Sequence, residues 1–128
     1  MVRVLNPPDV VKPASNYAQA VTHYSVATRM VVSGQLGLRP DGTLEKGLEA
    51  QMERAWANVL ACLNAGGFET RHLVKSTVYV TEPGQVGLHR RVRDKMMDGH
   101  VCASTYLQIA GLAAPEFLVE IEAEAVKD

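Results

Sequence analysis

The chain has little of what would commit a protein to a special environment. It holds two cysteines in 128 residues, too few for a disulfide framework. Cys62 falls in a helical pattern and Cys102 near the start of a strand-like run, so both read as free structural thiols. No apolar run approaches the ~18 residues needed to cross a bilayer. The opening stretch MVRVLNPPDVVKP lacks the continuous apolar segment of a secretory signal, so the expected location is the cytoplasm. A formal net charge of -1 gives no global attraction to nucleic acid or an anionic membrane. Two phenylalanines leave no aromatic platform for stacking RNA bases, so nucleic acid is not an expected partner. The four histidines, His23, His72, His89 and His100, show no metal-binding spacing, and His100-x-Cys102 is the nearest approach. No metal site is expected. Neither a Gly-rich phosphate loop nor the local signature of a Ser-His-Asp triad is present. Repeats, low-complexity tracts and Gly/Ser linkers are also missing, so residues 1–128 read as one domain.

What is present is an ordinary globular composition, 47% hydrophobic and 21% charged, in a chain long enough for a real core. Three of the six prolines lie in the first fifteen residues, which are expected to run extended along the surface. From Ala20 to Gly34 the β-branched and aromatic content predicts a hairpin, with HYSVA and RMVVS as strands and Ala27-Thr28 near the turn. Arg39 to Thr43 (RPDGT) is a turn signal, because proline presets φ and Asp-Gly tolerates positive φ.

Leu48 to Leu63 is the clearest helix. Leu48, Met52, Ala55, Trp56, Val59 and Leu63 recur at helical spacing, with Glu49, Glu53, Arg54 and Asn58 on the other side. Gly66-Gly67 then ends it. Leu73 to Thr81 alternates as a strand until Glu82-Pro83-Gly84 breaks it. Val86 to Met97 reads as a second helix with Leu88, Val92 and Met96 on one face. Cys102 to Ile109 and Leu118 to Ala125 are the closing strands. The order β-β-α-β-α-β-β predicts an α+β fold with two helices packed on one face of a sheet.

In the last strand Val119, Ile121, Ala123 and Ala125 point one way, and Glu120, Glu122 and Glu124 the other. Two residues at ~3.3 Å rise place successive carboxylates about 7 Å apart. Such a row repels itself unless it meets water, cations or hydrogen-bond donors.

Four segments taken together, Ser33 to Gly47 (SGQLGLRPDGTLEKG), the helix QMERAWANVLACLNAGG, VKSTVYVT and LVEIEAEAV, resemble the Rid (YjgF-type) family over nearly the whole chain. Asn16 to Ala20 matches that family's N-terminal tyrosine segment. The resemblance implies a chorismate-mutase-like α+β sandwich with a mixed sheet. It implies a homotrimer whose sheets form a central barrel, with small-molecule ligands in clefts between subunits. It also implies hydrolysis of reactive enamines and imines, such as 2-aminoacrylate, to keto acids and ammonia without a cofactor. By that resemblance Glu120 matches the glutamate that positions or activates water. Tyr17 and Ser33 match the lining of the cleft, and at Gly34, beside Ser33, the missing side chain lets a ligand approach the backbone.

One match fails. Family deaminases grip the substrate carboxylate with an arginine on the penultimate strand. Aligning Ile109-Ala110-x-Leu112 puts Ser104 at that position and Tyr106 at the position of the family's cysteine. The cleft asparagine falls at His89 or Arg90, and the final loop AGLAAPEF is about one residue longer than usual. Serine offers one neutral hydroxyl where arginine offers a cationic fork. Two responses follow. A cation can come from the second helix, where His89, Arg90, Arg91, Arg93 and Lys95 make a basic run, or the ligand is not an α-carboxylate. The simpler reading of that run is a solvated face balanced by Asp94 and Asp98. The leading expectation is an imine or enamine deaminase; the alternative is a ligand-binding or regulatory trimer that has lost the chemistry.

Overall fold

The alternation in the last strand and the apolar stripe of the first helix dictate a sheet covered on one side only. The computed structural model, which describes residues 2–10 and 12–128, has that arrangement. Met1 and Val11, part of the segment expected to run extended, lie outside the described residues. The elements are β1 (Val2–Leu5), β2 (Ala20–His23), β3 (Thr28–Leu36), α1 (Leu48–Ala65), a short 3-10 turn (Thr70–His72), β4 (Leu73–Val80), α2 (Val86–Met96), β5 (Ala103–Gln108) and β6 (Val119–Lys127). Four strands form a mixed sheet in the order β3-β6-β4-β5, with β4 and β5 parallel and the other pairs antiparallel.

The core lies between this sheet and the helices. Val119, Ile121, Ala123 and Ala125 of β6 are buried against Met52, Ala55, Trp56, Val59 and Leu63 of α1. Trp56 is fully buried, and each large side chain so enclosed contributes roughly 1.5–3 kcal/mol. The helix ends as its glycines require. Gly67 takes φ 76°, which a side chain would resist. This lets the Phe68 amide reach the Leu63 carbonyl at 2.8 Å and the Gly67 amide reach Asn64 at 3.0 Å.

Two polar side chains of α1 fasten it to the loops. Buried Gln51 donates to the carbonyls of Glu45 and Glu116 and accepts from the Leu118 amide at 2.9 Å. Asn58, expected on the solvent side, instead donates to the carbonyls of Leu36 and Leu38. Gly37 permits this closeness, because a Cβ there would stand 2.5 Å from the Gln51 Cα. The RPDGT turn forms as expected, with Gly42 at φ 87° and the Asp41 carboxylate accepting from the Thr43 amide.

The hairpin over Ala20–Gly34 does not form. β2 pairs with β1, Val2 opposite His23 and Leu5 opposite Ala20, while β3 pairs with β6. Ser25, at φ 53°, turns the chain between the two strands. β-branched content marked β3, within which RMVVS lies, but the strand expected over HYSVA falls earlier, at Ala20–His23. The seven-pair register with β6 is what fixes the partner of β3.

Candidate functional site

Pairing across the sheet decides which side chains share a face. Lys75, Thr77 and Tyr79 of β4 lie opposite Glu124, Glu122 and Glu120 of β6, on the face away from the helices. The carboxylate row is thus real, and two of its members are paired. Glu124 accepts from Arg29 at 2.9 Å, and Glu122 accepts from the Tyr79 hydroxyl at 2.6 Å. That bond, with lesser help from desolvation and the nearby carboxylates, raises the Tyr79 pKa above the usual phenol range. Glu120 makes no hydrogen bond or ion pair among the described residues.

What Glu120 touches is glycine. Val32 pairs with Ala123 and Gln35 with Ile121, three steps on β3 against two on β6, so Ser33-Gly34 forms a β-bulge. A Cβ at Gly34 would stand 2.6 Å from Glu120 Oε1. The missing side chain lets the carboxylate lie against the β3 backbone. Ser33 is exposed beside it.

The other expected residues gather elsewhere. A cleft of about 370 Å³ is walled by Tyr17, His89, Arg90, Ser104 and Tyr106, with Arg93 beneath. Ser104 follows the start of β5, whose outer edge receives the N-terminal segment. The Ala18 amide donates to the Cys102 carbonyl at 2.9 Å and sets Tyr17 beside the strand. The Ser104 hydroxyl lies 3.3 Å from that of buried Ser76. Tyr106, two residues on, stacks its ring on His89 with 4.8 Å between centroids.

Helix α2 supplies the remaining wall, and here the solvated-face reading holds only in part. Arg91 and Lys95 are exposed and pair with Glu49 and Glu53 of α1. His89 and Arg93, one turn apart on the inner side, are buried at 3% and 1% exposure. Burial, reinforced by Arg93 and Arg90, pushes the His89 pKa down to about 4, so the ring is neutral near pH 7. Burial likewise raises the Cys102 thiol, which suits the structural role expected of it. Cys62 is also free.

Within one chain the two groups do not meet. Ser104 pairs with Ser76 and Ser76 with Ala123, on the helix-covered face. Glu120 lies on the open face, two strands away. Among the described residues no His, Cys, Asp and Glu cluster could hold a metal ion, and no helix is long and apolar enough to cross a membrane. A larger hollow of about 520 Å³, lined by Glu69, Arg71, His72 and Lys127 among others, contains none of the expected site residues.

A family model described as Endoribonuclease L-PSP matches residues 8–127. The chain belongs to this family, the Rid (YjgF-type) proteins. The solved structure of the Rid-family protein YyfB from Yersinia pestis superposes on this Rid protein with a TM-score of 0.87, at 26% identity over 98% of both chains. A RutC family protein from Aquifex aeolicus is 33% identical over 82 residues, a match spanning 63% of each chain and so less than two thirds of that relative. The mouse 2-iminobutanoate/2-iminopropanoate deaminase is 30% identical over 113 residues, 87% of this chain and 81% of that one.

Proposed function

We propose that this Rid protein hydrolyses small enamines or imines to carbonyl compounds and ammonia, in clefts completed by neighbouring copies of the chain. The observation that carries the proposal is the division of the expected residues into two half-sites. Tyr17, His89, Arg90, Ser104 and Tyr106 line the β5 edge of the sheet, while Ser33, Gly34 and Glu120 cluster by the opposite edge strand, β3. A ring of three chains that joins the β5 edge of one to the β3 edge of the next brings the halves together. It also covers the open face, where Val31 is 63% exposed. The relatives named as iminobutanoate and iminopropanoate deaminases support the reaction class.

In this reading water adds to the C=N carbon while Glu120, which has no partner among the described residues, takes a proton from it. The resulting carbinolamine expels ammonia as the nitrogen gains a proton, and the carbonyl compound remains. Imine plus water gives carbonyl plus ammonia, with no cofactor. Tyr17, Ser33, Gly34, Ser104, Tyr106, His89 and Arg90 shape the ligand space. The test is ammonia release from imines generated in situ by an amino acid dehydratase, with the wild type and with Ser104→Arg. Release by the wild type supports the reading. Release by the Arg variant alone assigns wild type to other ligands, and silence from both discards deamination. Light scattering checks the assembly: a trimer mass is expected, and a monomer mass removes the shared cleft.

The second reading, a trimer that binds ligands without chemistry, is favoured only by Ser104 standing where the deaminases have arginine. Thermal shifts by metabolites with no hydrolysis would support it.

A further inference from the structure

The cleft holds a buried cation whose bonding the fold leaves incomplete. Arg93 is 1% exposed, and its Nε donates to Asp94 at 3.0 Å. Its Nη2 is buried with no hydrogen-bond partner, and so is Nδ1 of His89, one turn earlier on the same side of α2. The cleft lining contains two guanidinium groups, Arg90 and Arg93, and no carboxylate. Asp94, the one acid bonded to Arg93, has 42% of its side chain exposed and stands outside that lining. A buried guanidinium N–H left unbonded is costly. An anion in the cleft removes that cost.

We propose that Arg93 is the anion-binding residue of this cleft, holding the carboxylate of a small 2-imino or 2-oxo acid from helix α2. The inference rests on the small-molecule cleft described above. It resolves the substitution at Ser104: the positive charge comes from the helix floor, and the strand needs only a small residue to leave room for the ligand. The basic run on α2 divides accordingly, with Arg91 and Lys95 tied to α1 and Arg93 turned inward. The ligand class narrows to monoanions that fit about 370 Å³, with the carboxylate directed at α2.

The experiment is calorimetric titration of the assembled protein with 2-oxobutanoate and with 2-oxobutanamide, the same skeleton without the charge. Wild type is expected to prefer the acid by about ten-fold, the difference between a charge-assisted and a neutral hydrogen bond. Arg93→Met, similar in volume and uncharged, should abolish that preference by weakening the acid more than the amide. Adding Ser104→Arg to that variant should restore it. Arg93→Lys serves if the Met variant does not fold, and should weaken the acid more than the amide. Equal binding of acid and amide by wild type overturns the proposal, as does acid binding unaltered by Arg93→Met, or no acid binding at millimolar concentration. The two readings fail separately. Acid preference lost in Arg93→Met, in a protein that releases no ammonia, removes the hydrolase and keeps the anion site. Turnover of an anionic imine with KM unchanged in Arg93→Met does the reverse.

Discussion

Replacing His89 by phenylalanine should make the protein less sensitive to acid, by an amount that follows from where the ring sits. The imidazole stacks on Tyr106 and lies beneath the cleft at 3% exposure. Burial first, then Arg93 and Arg90, hold its pKa at about 4 against 6.5 in a free chain, with Asp94 opposing. Because the folded value is the lower one, the unfolded chain binds more protons between those two values. The stability is complete above about pH 6.5, is lost as pH falls towards 4, and levels off below that. From 6.5 to about 4, at about 1.4 kcal/mol per pH unit, the loss is about 3 kcal/mol. Phenylalanine keeps the stacked ring and removes the titration. Denaturant unfolding of both proteins at one concentration, from neutrality to below pH 4, measures the difference. Carboxylates common to both cancel. The stability gap should shift in favour of the variant by about 3 kcal/mol across that window. Parallel stability curves would show that the ring is not held neutral by burial, and the reasoning about the cleft floor would fail with it.

Two glycines should respond in opposite ways. Gly34→Ala puts a methyl group 2.6 Å from the end of the flexible Glu120 side chain, which can swing away. Ammonia release should fall by about ten-fold or more while the melting temperature barely moves. Gly37→Ala meets the Gln51 Cα on the α1 backbone at 2.5 Å, so the helix itself must shift. A loss of about 1–3 kcal/mol in denaturant unfolding is expected. Gln51→Leu strips partners from two carbonyls and one amide. It should cost at least about 2 kcal/mol, and a smaller loss would mean that water replaces the side chain.

The fold was legible where a local period carries it. The α1 stripe and the alternation of β6 each expose one pattern to one partner surface. Every expected apolar position of both is buried, while Gln51 and Asn58, the polar side chains that fasten α1 to the loops, were not foreseen. The β2–β3 pairing was not legible, because short-range content marks strands without naming their partners. Only the register with β6 and the turn at Ser25 settle that. Candidate site residues could be named from the sequence, but not how they group. Five of the expected residues share one cleft, but opposite faces of a strand are separated by one position, so Glu120 and Ser104 part company. Arg93 was hidden by its neighbours. A run of five basic residues does not say which of them, if any, enters the cleft, and only the i, i+4 spacing of His89 and Arg93 hinted that these two turn inward. The Ser33-Gly34 bulge had a signal, a small pair inside a strand pattern.

The central claim is that Glu120 performs chemistry on a small imine. Since it makes no hydrogen bond or ion pair among the described residues, Glu120→Gln should fold and melt as the wild type does. The decisive measurement is the rate of ammonia release from dehydratase-generated 2-iminopropanoate by the two proteins. The expected result is a fall of about 100-fold or more in the variant, the scale of a lost general base. Equal rates in wild type and variant, above the uncatalysed hydrolysis, would contradict the account.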